Sequence, residues 1–208
     1  MKNTQVLGWA SARLDLMRSE EDLRFSLNGK WRGHLSRAER NKINIRHGCD
    51  EKIFAEFIQL YGQMLEEKKL KTNLDCNFFS TLYKLQSKDE KMEVFLAEDE
   101  REILGASLIA KYGSYSEYIA TSTSFNGRRK HVGQMLLWGS LLEMKKRGFS
   151  FFDLSGVDPK QTPKGILVFK QGLKADSYRL VPELEAIGGS KVNRIVQWII
   201  KKYKLKNK

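Results

Sequence analysis

MEVFLAED (residues 92–99), EILGASLIAKYG (102–113) and YSEYIATSTS (115–124) follow one another closely, and their reading decides the fold. Each is rich in Val, Ile, Phe, Tyr and Thr, residues that suit a pleated, half-buried surface, so the stretch predicts three consecutive strands. The polar turn Glu98–Arg101 and the Gly113-Ser114 break join them as antiparallel, hairpin-like connections. After Asn126-Gly127 the pattern predicts a long helix from about Arg129 to Arg147, stopped by Gly148, a favourable C-cap residue. FSFFDLSGVD (149–158) reads as a buried strand that breaks at Ser155-Gly156. A short helix over Lys164–Gln171 and a strand near Tyr178–Val181 follow.

Upstream, VLGWASARLDL (6–16) alternates roughly between apolar and polar residues and reads as a strand. Ser19, followed by Glu20, Glu21 and Asp22, suits a helix N-terminus, where backbone N–H groups lack partners. That helix fades near Asn28-Gly29. A second, basic helix spans Trp31 to about Asn41, and INIRH (43–47) is a short strand. Residues 51–69 place Ile53, Phe54, Phe57, Ile58, Tyr61, Met64 and Leu65 at spacings of three and four, an amphipathic helix. Phe78–Leu85 is another helix, capped by Asp75 or Asn77.

The chain has 208 residues, 41% of them hydrophobic, enough for a real core and against global disorder. One sizeable domain over residues 1–190 is the expectation, with a basic amphipathic helix or tail at 191–208. A net charge of +12 favours polyanionic partners: nucleic acid, an anionic membrane face or phosphorylated substrates. Cys49 and Cys76 form no CxxC pair and point to a reducing compartment. No signal-like or membrane-spanning apolar run is present, so the expected location is cytoplasmic, with peripheral contact at the inner membrane face. Walker loop, GxSxG and HExxH motifs are absent from the sequence, and no metal is implied.

Antiparallel strands, a long helix, then a strand and another helix is the core order of the GCN5-related N-acetyltransferase fold. The fold class expected is therefore α/β (α+β), a mixed, mostly antiparallel sheet flanked by helices. Two stretches carry a more specific resemblance: KWRGHLSRAERNKINI (30–45) and WGSLLEMKKRGFSFFDLSGVDPKQTPKGILVFKQGLKA (138–175). Asp153-Leu154-Ser155-Gly156 followed by Gly165–Leu173, with its Phe169-Lys170 pair, resembles the "DLxG … GI/LxxFKxGF/L" pattern in the second domain of the FemAB-like transferases. Those enzymes move an amino acid from aminoacyl-tRNA to a peptidoglycan precursor amine.

The resemblance implies that Lys170 lies at the transfer site and contacts the charged tRNA end, with Phe169 beside it. Attack of an amine on an ester passes through a tetrahedral oxyanion, which a fixed ammonium steadies. Lys170 alternatively pairs with RNA phosphates, or is a surface lysine beside a core phenylalanine. Asp153 either accepts a proton or orients Lys170, or else holds the Ser155-Gly156 turn. Arg32 and Arg37 match the family's basic helix and are candidate phosphate contacts. Members of that family usually pair two such domains, so the expectation here is either a different acceptor or a site completed by a partner chain or a second copy.

A second motif half fits. Acetyl-CoA enzymes of this fold seat the cofactor pyrophosphate on a [Q/R]xxGx[G/A] loop that opens the long helix. Here Arg128, Arg129 and Gly133 fit, but His131 replaces the first glycine, where close approach and positive φ favour glycine. Three cations at a helix start oppose its dipole and point to a bound anion. KVNRIVQWIIKKYKLKNK (191–208) holds no acidic residue and has an apolar stripe from Val192 to Ile200. It either rests on an anionic membrane or packs on the domain.

Three functions follow. The first is aminoacyl transfer from aminoacyl-tRNA to a lipid-linked or nucleotide-linked cell-wall precursor. The second is acyl-CoA-dependent N-acylation of a sugar or peptide amine. The third is a non-catalytic RNA- or membrane-binding module. No resident cofactor is expected; the donor is the substrate in either enzymatic reading.

Overall fold

A computed structural model describes residues 2–3, 7–87, 89–182, 184–185, 195–196 and 198–199. The chain divides into two compact units, Ser11–Tyr178 and a smaller one made of Met1–Ala10 with Arg179–Lys208.

The strands of the main sheet are β2 (Ala10–Asp15), β3 (Asn44–Gly48), β4 (Glu93–Glu98), β5 (Ile103–Tyr112), β6 (Tyr115–Thr123), β7 (Phe151–Asp153) and β8 (Asp176–Arg179). They lie in the order β3-β4-β5-β6-β7-β2-β8. Neighbours from β3 to β6 are antiparallel, β4–β5 and β5–β6 as the hairpins between them require and β3–β4 across two intervening helices, whereas β6 and β7 are parallel because the helical segment between them carries the chain back. Residue Ile119 is an extra residue in β6: Leu108 faces Ala120 but Ile109 faces Tyr118.

Helices α1 (Glu20–Ser26) and α2 (Gly29–Glu39) precede β3, while α3 (Glu51–Glu67) and α4 (Cys76–Leu85) precede β4. Ser19 accepts from the Asp22 N–H and Asp75 from that of Phe78, so both expected caps form. Asn28 caps α2, which begins two residues before Trp31. The apolar stripes of α3 and α4 bury Phe54, Phe57, Tyr61 and Phe79 with Val94, Leu96, Ala106 and Leu108 of the sheet. A second core joins Leu23, Trp31 and Leu35 of α1 and α2 to Leu136, Leu137 and Leu141. Ala12, Leu14, Phe95, Tyr118 and Phe152 supply the sheet side of that core. The sheet is thus filled on both faces, with alternate residues of each strand directed to opposite sides.

Three expected boundaries are corrected. The long helix does not start at Arg129: a short helix α5 (Phe125–Arg129) ends first, and α6 (Val132–Lys146) begins after a break. His131 takes the left-handed conformation at that break, φ 57°, which ends one helix and aims the next. Among the described residues the strand expected over 6–16 is confined to Ala10–Asp15, and the one near Tyr178–Val181 is Asp176–Arg179. Helix α7 spans Lys164–Gln171 as expected.

At the far end of α6, Arg147 donates to both oxygens of buried Glu93, which also pairs with His47 and Lys111. Burial pushes the Glu93 carboxyl up, but these partners outweigh it and hold the pKa below its usual value. The network ties α6 to β3, β4 and β5.

In the smaller unit, β1 (Lys2–Asn3) pairs antiparallel with β9 (Leu184–Glu185). The Leu180 N–H donates to the Trp9 carbonyl, and the Arg179 guanidinium to that of Gly8. A Cβ on Gly8 would lie 1.9 Å from the Leu180 carbonyl oxygen, so only glycine permits this approach. Of the expected basic helix over Lys191–Tyr203, residues 195, 196, 198 and 199 are described, helical and exposed. The remainder lies outside the described residues. Among the described residues no helix is long and apolar enough to cross a membrane, and no group of three or more His, Cys, Asp or Glu could hold a metal.

Candidate active site

Strands β6 and β7 are in register at Tyr115–Phe151, Ser116–Phe152 and Glu117–Asp153, and there the ladder stops. β6 runs on to Thr123, while the chain after Asp153 turns away through Ser155, whose φ is 59°. Asp153 makes that turn possible. Its Oδ1 accepts the Ser155 N–H at 2.7 Å, an Asx-type contact, and a hydrogen bond from the Ser11 hydroxyl. Its Oδ2 accepts from the Tyr178 hydroxyl at 2.5 Å. With 3% exposure and three donors, the Asp153 carboxyl is fixed in place.

Lys170, in the last turn of α7, points into this break. Only 9% exposed, it donates from Nζ to the Gly156 carbonyl at 3.1 Å. Burial pulls its pKa down to about 8, and the charges of Asp153 and Glu117 oppose the fall. Glu117, beside Asp153 in register, is shifted upward by burial and then by the Asp153 charge. Hydrogen bonds from Tyr112 and Ser155 and the charge of Lys170 restrain that rise. Tyr112 donates to Glu117 at 3.2 Å. The Tyr178 phenol is pushed up to about 12 by burial and by Asp153.

Lys170, Asp153, Ser155 and Gly156 therefore come together, as their motif spacing led one to expect. Glu117, Tyr112, Ser11 and Tyr178 join them without having been foreseen. One signal for Glu117 was available: it is the only acid in the otherwise apolar and hydroxyl-bearing strand 115–124. Chemically, the cluster offers a buried ammonium next to a carboxylate whose proton affinity is raised. The first can steady an oxyanion and the second can take a proton from an amine.

The remaining candidates fall in two other places. Phe169 packs against Trp31, with ring centroids 5.9 Å apart, and its ring is 3.7 Å from where a Cβ on Gly133 would stand. This sets α7 against the start of α6. Arg128 donates to the Thr123 carbonyl at 2.7 Å, and Arg129 lies 5.9 Å from the Phe125 ring centroid. Lys130 pairs with Asp99 at 2.5 Å, the main reason the Asp99 pKa falls to about 2. His131 stacks on His34 at 4.1 Å, and burial together with nearby Arg37 lowers the pKa of both imidazoles. Arg37 thus belongs with the α6 N-terminus. Arg32 does not: it donates to the Phe25 carbonyl at 2.9 Å and lies over the Phe25 ring.

No curated protein matches the sequence. Among solved structures, FemX superposes with a TM-score of 0.78 at 14% identity, covering 92% of this chain and 64% of FemX. The C-terminal domain of an Agrobacterium fabrum protein assigned as a lysylphosphatidylglycerol synthetase gives a TM-score of 0.62 at 13% identity, covering 83% of this chain and 57% of that one. An aminoglycoside acetyltransferase from an uncultured soil metagenomic sample, in complex with trehalose, gives 0.51 at 19% identity, covering 71% of this chain and 97% of that one. The chain thus spans less than two thirds of the length of the first two. The fold expected from the strand and helix order is the fold these structures share. A family model described as an acetyltransferase (GNAT) domain matches residues 28–164. With two thirds of its length under that match, the chain belongs to the GNAT acyltransferase family.

Proposed function

We propose that this chain transfers an aminoacyl group from aminoacyl-tRNA to an amine of a lipid-linked or nucleotide-linked peptidoglycan precursor. The observation that carries the reading is Lys170, buried with Asp153 and Glu117 where the β6–β7 ladder ends. The likeness to FemX supports the same class of chemistry. In this mechanism the acceptor nitrogen attacks the ester carbonyl carbon and the carbonyl electron pair moves onto oxygen. The Lys170 ammonium steadies that oxyanion, and Glu117 takes the proton released by the attacking amine. Collapse of the intermediate breaks the ester C–O bond, and the departing ribose oxygen takes up the proton that Glu117 holds, which restores the carboxylate. Asp153 keeps Ser155, Gly156 and Lys170 in position. Phe169 fixes α7 from the opposite side.

Acyl-CoA is the rival donor. The usual pyrophosphate seat is poorly suited to it here: His131 holds the left-handed position with its imidazole stacked on His34, and Phe169 lies against Gly133. Arg128 and Lys130 are engaged by Thr123 and Asp99. These residues do not fit a glycine-lined pyrophosphate loop, so no step is assigned to CoA. The basic surface of α2 with Arg37 and Arg129 instead suits RNA phosphates. Action at the inner membrane face belongs to the same proposal. Parallel assays with charged tRNA and with acetyl-CoA test it. The expected result is amide formation from charged tRNA and no micromolar binding of acetyl-CoA; consumption of acetyl-CoA with charged tRNA left intact would overturn it.

A further inference from the structure

We infer that Arg13 anchors an anion-binding subsite for the acceptor, so that the acceptor class is an amine carrying a carboxylate or phosphate on the same molecule. This rests on the acyl-transfer reading of the Lys170 site and extends it to substrate recognition. Arg13 lies on β2 in register with Asp153. Ala12 and Leu14 belong to the core under α1, α2 and α6, so alternation places Ser11, Arg13 and Asp15 on the opposite face. Tyr115 and Glu117 of β6 and Phe151 and Asp153 of β7 share that face, by the same alternation against buried Tyr118 and Phe152.

The Arg13 head is held in place there. Its guanidinium carbon is 4.8 Å from the Phe151 ring centroid and 5.7 Å from that of Tyr178, and Nη1 donates to the Tyr115 hydroxyl at 3.3 Å. Yet Arg13 is exposed and, among the described residues, has no carboxylate within ion-pair distance. Arg24 has one, and Arg46 and Arg147 have two each. The nearest candidate by register, Asp153, is committed to Ser11, Ser155 and Tyr178. A pre-oriented guanidinium fork with open N–H groups binds two oxygens of one carboxylate or phosphate. The aromatic rings stiffen it and so lower the cost of ordering it on binding.

The anion belongs to the acceptor rather than to tRNA because of its surroundings. Glu117, Asp153 and Asp15 place three carboxylates on this face, which attract an amine and disfavour a long phosphodiester backbone. The basic residues of α2 and of the α6 start serve the other face. Acceptor amine near Glu117 and acceptor anion on Arg13 together demand a zwitterionic or phosphorylated amine and disfavour a plain sugar amine.

Two matched probe pairs test this by calorimetry: L-lysine against cadaverine, and glucosamine 6-phosphate against glucosamine. Wild-type protein is expected to bind the carboxylate- or phosphate-bearing member of each pair more tightly, by about tenfold or more. Arg13→Ala should erase that preference and leave binding of cadaverine and glucosamine unchanged, and Arg13→Lys should restore part of it. Equal binding of both members, a preference that survives in Arg13→Ala, or a loss of charged-tRNA binding with acceptor binding intact overturns the proposal. If the preference depends on Arg13 but neither donor supports transfer, the subsite stands and the reaction assigned above fails.

Discussion

Replacing Lys170 with methionine is expected to abolish transfer and yet stabilise the fold at neutral pH. The side chain is buried, and its pKa falls from 10.5 to about 8. At ~1.4 kcal/mol for each pH unit, keeping the ammonium inside the protein costs the native state roughly 3 kcal/mol. Methionine fills nearly the same volume without charge. It forfeits the bond to the Gly156 carbonyl, worth ~1 kcal/mol, so the net gain is about 1–2 kcal/mol. The pH dependence follows from linkage. Below about 8 both folded and unfolded lysine are protonated and the cost is constant. Between about 8 and 10.5 the unfolded chain binds more protons than the native one, so wild-type stability rises with pH across that window. The advantage of Lys170→Met should therefore shrink from pH 7 to pH 10. Urea unfolding of both proteins at the two pH values measures it. A variant less stable than wild type at pH 7, or an advantage that does not change with pH, would refute the burial of this charge.

Three further outcomes are expected. Transfer should decline as pH rises through about 8, where the Lys170 ammonium is lost, and on the acid side should fall at a pH above the usual carboxylate range, where Glu117 is protonated; single-turnover rates against pH check both limbs, and Glu117→Gln should remove the acid one. A Cβ at Gly172 would stand 2.3 Å from Cδ1 of Trp31, so Gly172→Ala must push α7 away from α2; a loss of about 1–3 kcal/mol in urea unfolding is expected, together with a lower kcat. Tyr178→Phe removes a donor from buried Asp153 and should cost about 1–3 kcal/mol, read as a lowered Tm that Asp153→Ala does not lower additively.

Most of the architecture was legible because local chemistry and tertiary packing agree. The β-branched and aromatic runs at 92–124 need no distant partner to be strands, and Ser19 and Asp75 cap helices through their own neighbours. At the Lys130-His131 break only the half-fitting glycine motif marks position 131 as a place where positive φ is wanted; that a histidine takes it, stacked on a His34 imidazole 97 positions away, is not written in the local pattern. The site was half legible for a related reason. Asp153, Ser155, Gly156 and Lys170 fall in one short motif, whereas Glu117 and Ser11 reach it only through the parallel β6–β7 and antiparallel β2–β7 registers. Register is a property of paired strands, and a single strand's pattern says which face a residue takes but not which residue faces it. Arg13 and Tyr178 were missed on the same ground. Arg32 stands apart from the other cations because a basic helix shows where its cations are and not whether a neighbouring carbonyl has already engaged them.

The most direct test of the account is the single-turnover rate of aminoacyl transfer from charged tRNA by Lys170→Ala, with far-ultraviolet circular dichroism confirming the fold and filter binding measuring donor affinity. The account predicts a rate reduced by about 100-fold or more with donor affinity nearly unchanged. A rate close to that of the wild type would contradict it, because the oxyanion would then be steadied by some other group.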